Sequence, residues 1–195
     1  MTNDVLFVDA DRGGHYETDY IEALNLANIP FTYWNVEKKG VPTLLDFQKH
    51  RVILWITDTS NTGIPFEGAY TLAKHLQLKG KVIVMGYQTG ASLREMWLDE
   101  AFFGFKYEGS STSEKEVAHK FREDSFNVRT DFVQETREGF SEYEIVGNFH
   151  DGLYGKTCAV KTQHTYWLGF DINDIESKFT RAQILYKAVN GLMNK

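Results

Sequence analysis

The chain has 195 residues, 42% of them hydrophobic and 14% aromatic, enough to build one ordinary buried core. Its net charge of −6 argues against nucleic acid or an anionic membrane surface as a partner. The single cysteine, Cys158, excludes an intramolecular disulfide and a multi-cysteine zinc site. No stretch is long and apolar enough to span a bilayer. The expectation is a cytoplasmic chain without a signal peptide, or a domain excised from a larger, secreted protein.

In chain order, residues 4–9 form a short apolar run ending in acid, read as a first strand, and Asp11-Arg12-Gly13-Gly14 reads as a turn. The spacing of Tyr16, Tyr20, Leu24 and Ala27 predicts a helix over 15–27. Residues 31–36, aromatic and β-branched, read as a second strand, and 42–48 as a short helix. A third strand over 51–57 runs into a polar loop over 58–63. Pro65 suits a helix first turn, and 66–78 reads as a helix with Tyr70, Ala73 and Leu76 or Gln77 inward. Residues 82–85 give a fourth strand, and a helix follows through Ala101. From 108 to 137 the chain is charged and rich in Ser and Thr, without a helical period. This segment is expected to be an insertion or mobile excursion at the sheet's edge. Strands over 142–146, 157–161 and 165–170 follow, the last two joined as a hairpin. A final helix over 175–193 buries Ala182, Leu185, Val189 and Leu192.

Strands alternating with helices in this way predict an α/β fold with a doubly wound, mostly parallel sheet covered on both faces and an antiparallel C-terminal hairpin. One domain over residues 1–195 is expected, since neither a repeat nor a linker interrupts the pattern. The stretch from Val82 to Ser92 carries the strongest local signal. An apolar strand, two glycines (Gly86 and Gly90) and a helix start make a sharp elbow that lifts Gln88 to the rim of the sheet. Hydrolases place a nucleophilic Ser or Cys at such a point. A glutamine amide cannot attack a carbonyl.

Three stretches together resemble class I glutamine amidotransferase-like, flavodoxin-like domains, including accessory domains of secreted immune-inhibitor-A type peptidases. These are 6–17 (Leu-Phe-Val-Asp-Ala-Asp-Arg-Gly-Gly-His-Tyr-Glu), the strands over 33–36 and 51–57, and Leu168-Gly169-Phe170-Asp171-Ile172 with its closing helix. The resemblance covers the chain in outline and is poor between Glu108 and Phe149. In amidotransferases of this class, the elbow cysteine works with a His-x-Glu after the last core strand. Here Gln88 and Phe170-Asp171-Ile172-Asn173-Asp174 stand at those places. The resemblance thus implies the fold and the crevice, and argues against glutaminase chemistry.

Strand-ending acids supply the other candidates. Asp9 and Asp11 end the first strand, Asp58 the third and Asp171 the last, so all would edge one crevice. Asp9, Asp11 and Asp171 are candidate ligands for Mg²⁺ or Ca²⁺, which take oxygen donors. Their plainer role is to cap helices and loop amides. Asp9-Ala10-Asp11 also resembles the opening motif of haloacid-dehalogenase-like phosphohydrolases. That resemblance would make Asp9 a nucleophile and Asp11 an acid/base, with Thr57, Asp171 and Asp174 matching later motifs and Gly13 departing from the pattern. Arg12-Gly13-Gly14 could cradle an anion, although the glycines equally serve a turn. Cys158 reads as a structural residue, and His15, His150 and His164 lack metal-ligand spacing. The aromatic run over 97–105 reads as core rather than as an exposed patch.

The leading expectation is a non-catalytic binding or assembly module with a crevice of Asp9, Asp11, Arg12, Asp58, Tyr87, Gln88 and Asp171. It needs no cofactor beyond Mg²⁺ or Ca²⁺ and serves a small ligand or a protein partner, with self-association open. The alternatives are the Asp9/Asp11 phosphohydrolase and a protein-interaction domain working through 108–137.

Overall fold

The computed structural model describes residues 4–11, 13, 16–57, 63–110, 115–119, 125–128, 131–135, 144–149 and 157–194. The apolar runs become strands β1 (Val5–Ala10), β2 (Phe31–Asn35), β3 (Val52–Thr57) and β4 (Val82–Met85). Every residue of β1, β3 and β4 is buried, as a parallel sheet covered on both faces requires. Later come β5 (Phe105–Ser110), β6 (Lys115–His119), β7 (Ser125–Val128), β8 (Asp131–Glu135), β9 (Glu144–Phe149), β10 (Thr157–Lys161) and β11 (Thr165–Leu168). The parallel part runs β2-β1-β3-β4-β11. Past β11 the sheet continues antiparallel as β10-β9-β6-β7, with β8 pairing both β10 and β5. The predicted hairpin is therefore β10–β11. Strand order reverses between β1 and β3, which places the switch-point crevice at their carboxyl ends.

Alternation along the strands divides the core in two. Val5, Phe7, Leu54, Ile56, Met85 and Leu168 face helices α1 (Glu17–Leu26) and α6 (Lys178–Met193). Leu6, Val8, Ile53, Trp55, Val84 and Trp167 face the other side. That side is covered by α4 (Phe66–Gln77), α5 (Thr89–Glu95) and a π turn over Asp99–Phe103. Two short helices, α2 (Val36–Lys39) and α3 (Leu44–Phe47), link β2 to β3. A Thr43–Asp46 capping box starts α3. In α6 the predicted Ala182, Leu185, Val189 and Leu192 are all buried. Trimming one such leucine to alanine would cost about 2–5 kcal/mol.

Three expectations are corrected. The inward face of α4 is Gly68, Ala69, Leu72, His75 and Leu76, while Tyr70 is 54% exposed. Close approach to the sheet sets this choice, because a Cβ on Gly68 would stand 2.6 Å from the Trp55 ring. The elbow helix does not run through Ala101; it stops at Glu95, and Trp97 takes a positive φ of 58° before the π turn. The 108–137 segment carries β6, β7 and β8, strands that the sequence reading missed, with β7 at the sheet's far edge.

Candidate functional site

The elbow is built by steric necessity. Gly86 has φ +132°, and a Cβ there would lie 2.7 Å from Thr57 Oγ1 and 3.0 Å from the Thr57 carbonyl oxygen. Only glycine fits that approach. Two residues on, Gln88 sits at φ +65°, ψ +7° as the residue before α5. This left-handed conformation costs a residue with a side chain about 1–2 kcal/mol. Its surroundings hold it there. Thr89 Oγ1 donates to the Gly86 carbonyl at 2.8 Å and accepts from Trp167 Nε1 at 3.1 Å, tying the turn to β11. Ile64 N–H donates to Ser92 Oγ at 3.1 Å, tying α5 to the start of α4. Tyr87 and Gln88 are half-buried at the carboxyl end of β4. Beside them Thr57 ends β3, fully buried, with an Oγ1 that has no hydrogen-bond partner among the described residues.

At the end of β1, Asp9 and Asp11 are buried and heavily bonded. Asp9 Oδ1 accepts from Asp11 N–H at 3.1 Å. Its Oδ2 accepts from Tyr33 O–H at 2.5 Å and Asn35 Nδ2 at 3.0 Å. Asp11 Oδ1 and Oδ2 accept from the N–H groups of Gly13 and Tyr16, each at 2.9 Å. Glu17 joins this pair, with one ligand oxygen from each residue lying within 4.8 Å of the others. Burial raises the Asp9 pKa, and the Tyr33 bond works against that rise. Burial and the same bond push the Tyr33 phenol upward.

Asp171 lies apart from that cluster. It follows β11, is fully buried, and starts a 3₁₀ turn (Ile172–Asp174) by accepting Asn173 N–H at Oδ1, 2.9 Å away. The fully buried Tyr20 hydroxyl of α1 faces the Asp171 carboxyl group and the Ile172 backbone. Burial first, and then the Asp174 carboxylate, push the Asp171 pKa up to about 7.

Asp58, Arg12, His15 and His150 lie outside the described residues. His164 is at the opposite end of the sheet, where its carbonyl accepts Val82 N–H at 2.9 Å. Cys158 is fully buried. In the aromatic run Leu98, Phe103 and Phe105 are core and Phe105 packs on Trp167, whereas Trp97 is 76% exposed. Sequence reasoning also missed Tyr33 and Asn35, which alternate on β2 with Asn35 in register with Asp9, and Asn173, two residues past Asp171. It missed as well a 680 Å³ groove between α3 and α4, lined by residues 41–44 with Glu67, Tyr70, Thr71 and Lys74.

Several solved structures share this architecture. A glutamine amidotransferase from Thermotoga maritima superposes with a TM-score of 0.54 at 13% identity, over 100% of this chain and 86% of that one. The fold is amidotransferase-like. A putative ThuA-like protein from Parabacteroides merdae gives a TM-score of 0.59 at 8% identity, over 100% of this chain and 91% of that one. Agd3, described as a novel carbohydrate deacetylase, gives 0.61 at 13% identity over 97% of this chain and 32% of that one. No protein-family model matches the sequence, and no curated protein matches it. The left-handed position between β4 and α5 belongs to Gln88.

Proposed function

We propose that this amidotransferase-like domain is a binding module without covalent chemistry, with the elbow serving as a recognition point. One observation carries the reading: the residue in the left-handed elbow position is Gln88. Its neutral amide offers a donor and an acceptor and has no nucleophile to give. The buried Thr57 hydroxyl and the half-buried Tyr87 belong to the same turn region. These neutral groups suit a small polar ligand, or a polar side chain of a partner, better than a charged one.

The test has two arms. Purified protein is incubated with glutamine and with an activated ester, and ammonia or alcohol release is followed; no release above the protein-free blank is expected. Turnover that disappears in Gln88→Ala would overturn the reading. In parallel, neutral amides and sugars are screened by thermal shift. A hit should lose its shift in Gln88→Ala while that variant keeps the wild-type fold by circular dichroism.

A further inference from the structure

Helix α4 buries one side against the sheet and leaves the other open. On the open side Phe66 and Tyr70, with Leu78 just past the helix end, are 69%, 54% and 59% exposed. Three large apolar side chains on so short a helix form a patch rather than the scattered singles of an ordinary surface. Glu67, Tyr70, Thr71 and Lys74 follow one another at i, i+3, i+4 and i+7, so they make one stripe, and that stripe walls the groove against α3. Thr71 Oγ1 donates to the Glu67 carbonyl at 2.9 Å and asks nothing polar of a partner. Among the described residues neither the Glu67 carboxylate nor the Lys74 ammonium belongs to an ion pair; Lys74 lies over the Tyr70 ring, 5.4 Å from its centroid. The exposed Phe179 and Tyr186 of α6 stand in a different setting, because the neighbouring cations Lys178 and Arg181 already pair with Glu22 and Asp19 of α1.

The spacing of the stripe says what covers it. Positions 67 and 74, and likewise 70 and 71, lie equally far from a midpoint between Tyr70 and Thr71. A second copy of α4 laid antiparallel across that midpoint sets each Glu67 against a Lys74, while Tyr70 and Thr71 meet their own counterparts. A parallel copy would bring like charges together. One patch that is its own complement is the mark of a two-fold interface. We infer that α4 is the self-association face of this protein, two copies packing α4 on α4 antiparallel through two Glu67–Lys74 pairs about a Tyr70 centre. Covering Phe66, Tyr70 and Leu78 supplies the attraction. The exposed ion pairs add little affinity and fix the register. A contact built on one short helix stands at the small end of specific interfaces, so the dimer forms and dissociates reversibly.

Sedimentation velocity on the intact chain, from about 1 to 300 µM, tests this. A monomer–dimer equilibrium is expected within that range. Glu67→Lys alone sets cation on cation and Lys74→Glu alone sets acid on acid, and each should raise the dissociation constant at least about tenfold. The double variant Glu67→Lys/Lys74→Glu restores both pairs and should return it to within about threefold of wild type. Tyr70→Ala, at the centre, should weaken the dimer at least about tenfold, and Phe179→Ser on α6 should leave it unchanged. Circular dichroism confirms that each variant is folded. The inference is overturned by a wild type that stays monomeric throughout, which would leave the face to a different partner. It is equally overturned by a dimer that tolerates both single charge reversals, that the double variant does not regain, or that Phe179→Ser abolishes.

Discussion

At the end of β1, five donors converge on two carboxylates; after β11, one carboxylate accepts an N–H and faces the Tyr20 hydroxyl. The two acids, Asp9 and Asp171, are buried alike at the ends of β1 and β11 of one sheet, with β3 and β4 between them. Both have raised pKa values, chiefly from burial. They differ in what meets the charge. Tyr33 and Asn35 reach across from β2 to Asp9, so its cluster is a finished piece of structure. Asp171 has the Tyr20 hydroxyl beside it, and Asp174 and Asp19 for company. Counting acids alone does not separate the two; counting their donors does.

The largest expected effect comes from the Asp171 side, through pH. The Asp171 pKa stands at about 7 in the fold against an ordinary value of 3.8. The fold therefore favours the neutral acid. That stability is fully present below pH 3.8 and is lost as pH rises through about 7. Asp171→Asn should remove this decline, gaining about 4 kcal/mol over wild type at pH 8 and nothing at pH 4. An unchanged pH slope in the variant would show that Asp171 is not the group responsible. Next comes breaking the finished side. Asp9→Ala strands Tyr33 O–H and Asp11 N–H, leaves Asn35 Nδ2 with its bond to Tyr33 Oη, and should cost about 3 kcal/mol in urea unfolding at pH 7. The smallest effects come from a matched pair of tyrosines. Tyr33→Phe removes a charge-assisted bond and should cost about 1.5 kcal/mol. It should also raise the Asp9 titration midpoint further, as followed by NMR. Tyr20→Phe removes the buried hydroxyl that faces Asp171 and should cost about 1 kcal/mol, less than Tyr33→Phe. Equal losses in the two variants would dissolve the distinction between the acids.

How much of this is legible in the sequence follows from the range of the forces involved. The parallel strands, the elbow and the apolar face of α6 are written in local runs and periods, and they stand where the pattern puts them. The face of α4 is not, because the fit of Gly68 against Trp55 outweighs the pull of Tyr70 toward the interior. Strands β6, β7 and β8 are hidden by their polar composition, which lacks the apolar runs of the central strands. At the candidate sites, the acids are visible as residues at strand ends, but their state is not. The bond from Tyr33 to Asp9 spans 24 residues, and the one from Trp167 to Thr89 spans 78. No local pattern encodes either, so the sequence could nominate Asp9, Asp11 and Asp171 together without saying how many donors each of them meets.

The pairing of β4 with β11 has a consequence for how the chain is made. In the register Thr165 lies beside Val82, a separation of 165 − 82 = 83 residues. At about 5–20 residues per second, a ribosome needs roughly 4–17 s to cover that interval. Throughout it, the Val82-Ile83-Val84-Met85 edge has no neighbour on one side, and an apolar open edge of this kind recruits other strands. Nascent chains halted before residue 157 should therefore aggregate or hold chaperones, and release of the C-terminal hairpin should be the event that frees them.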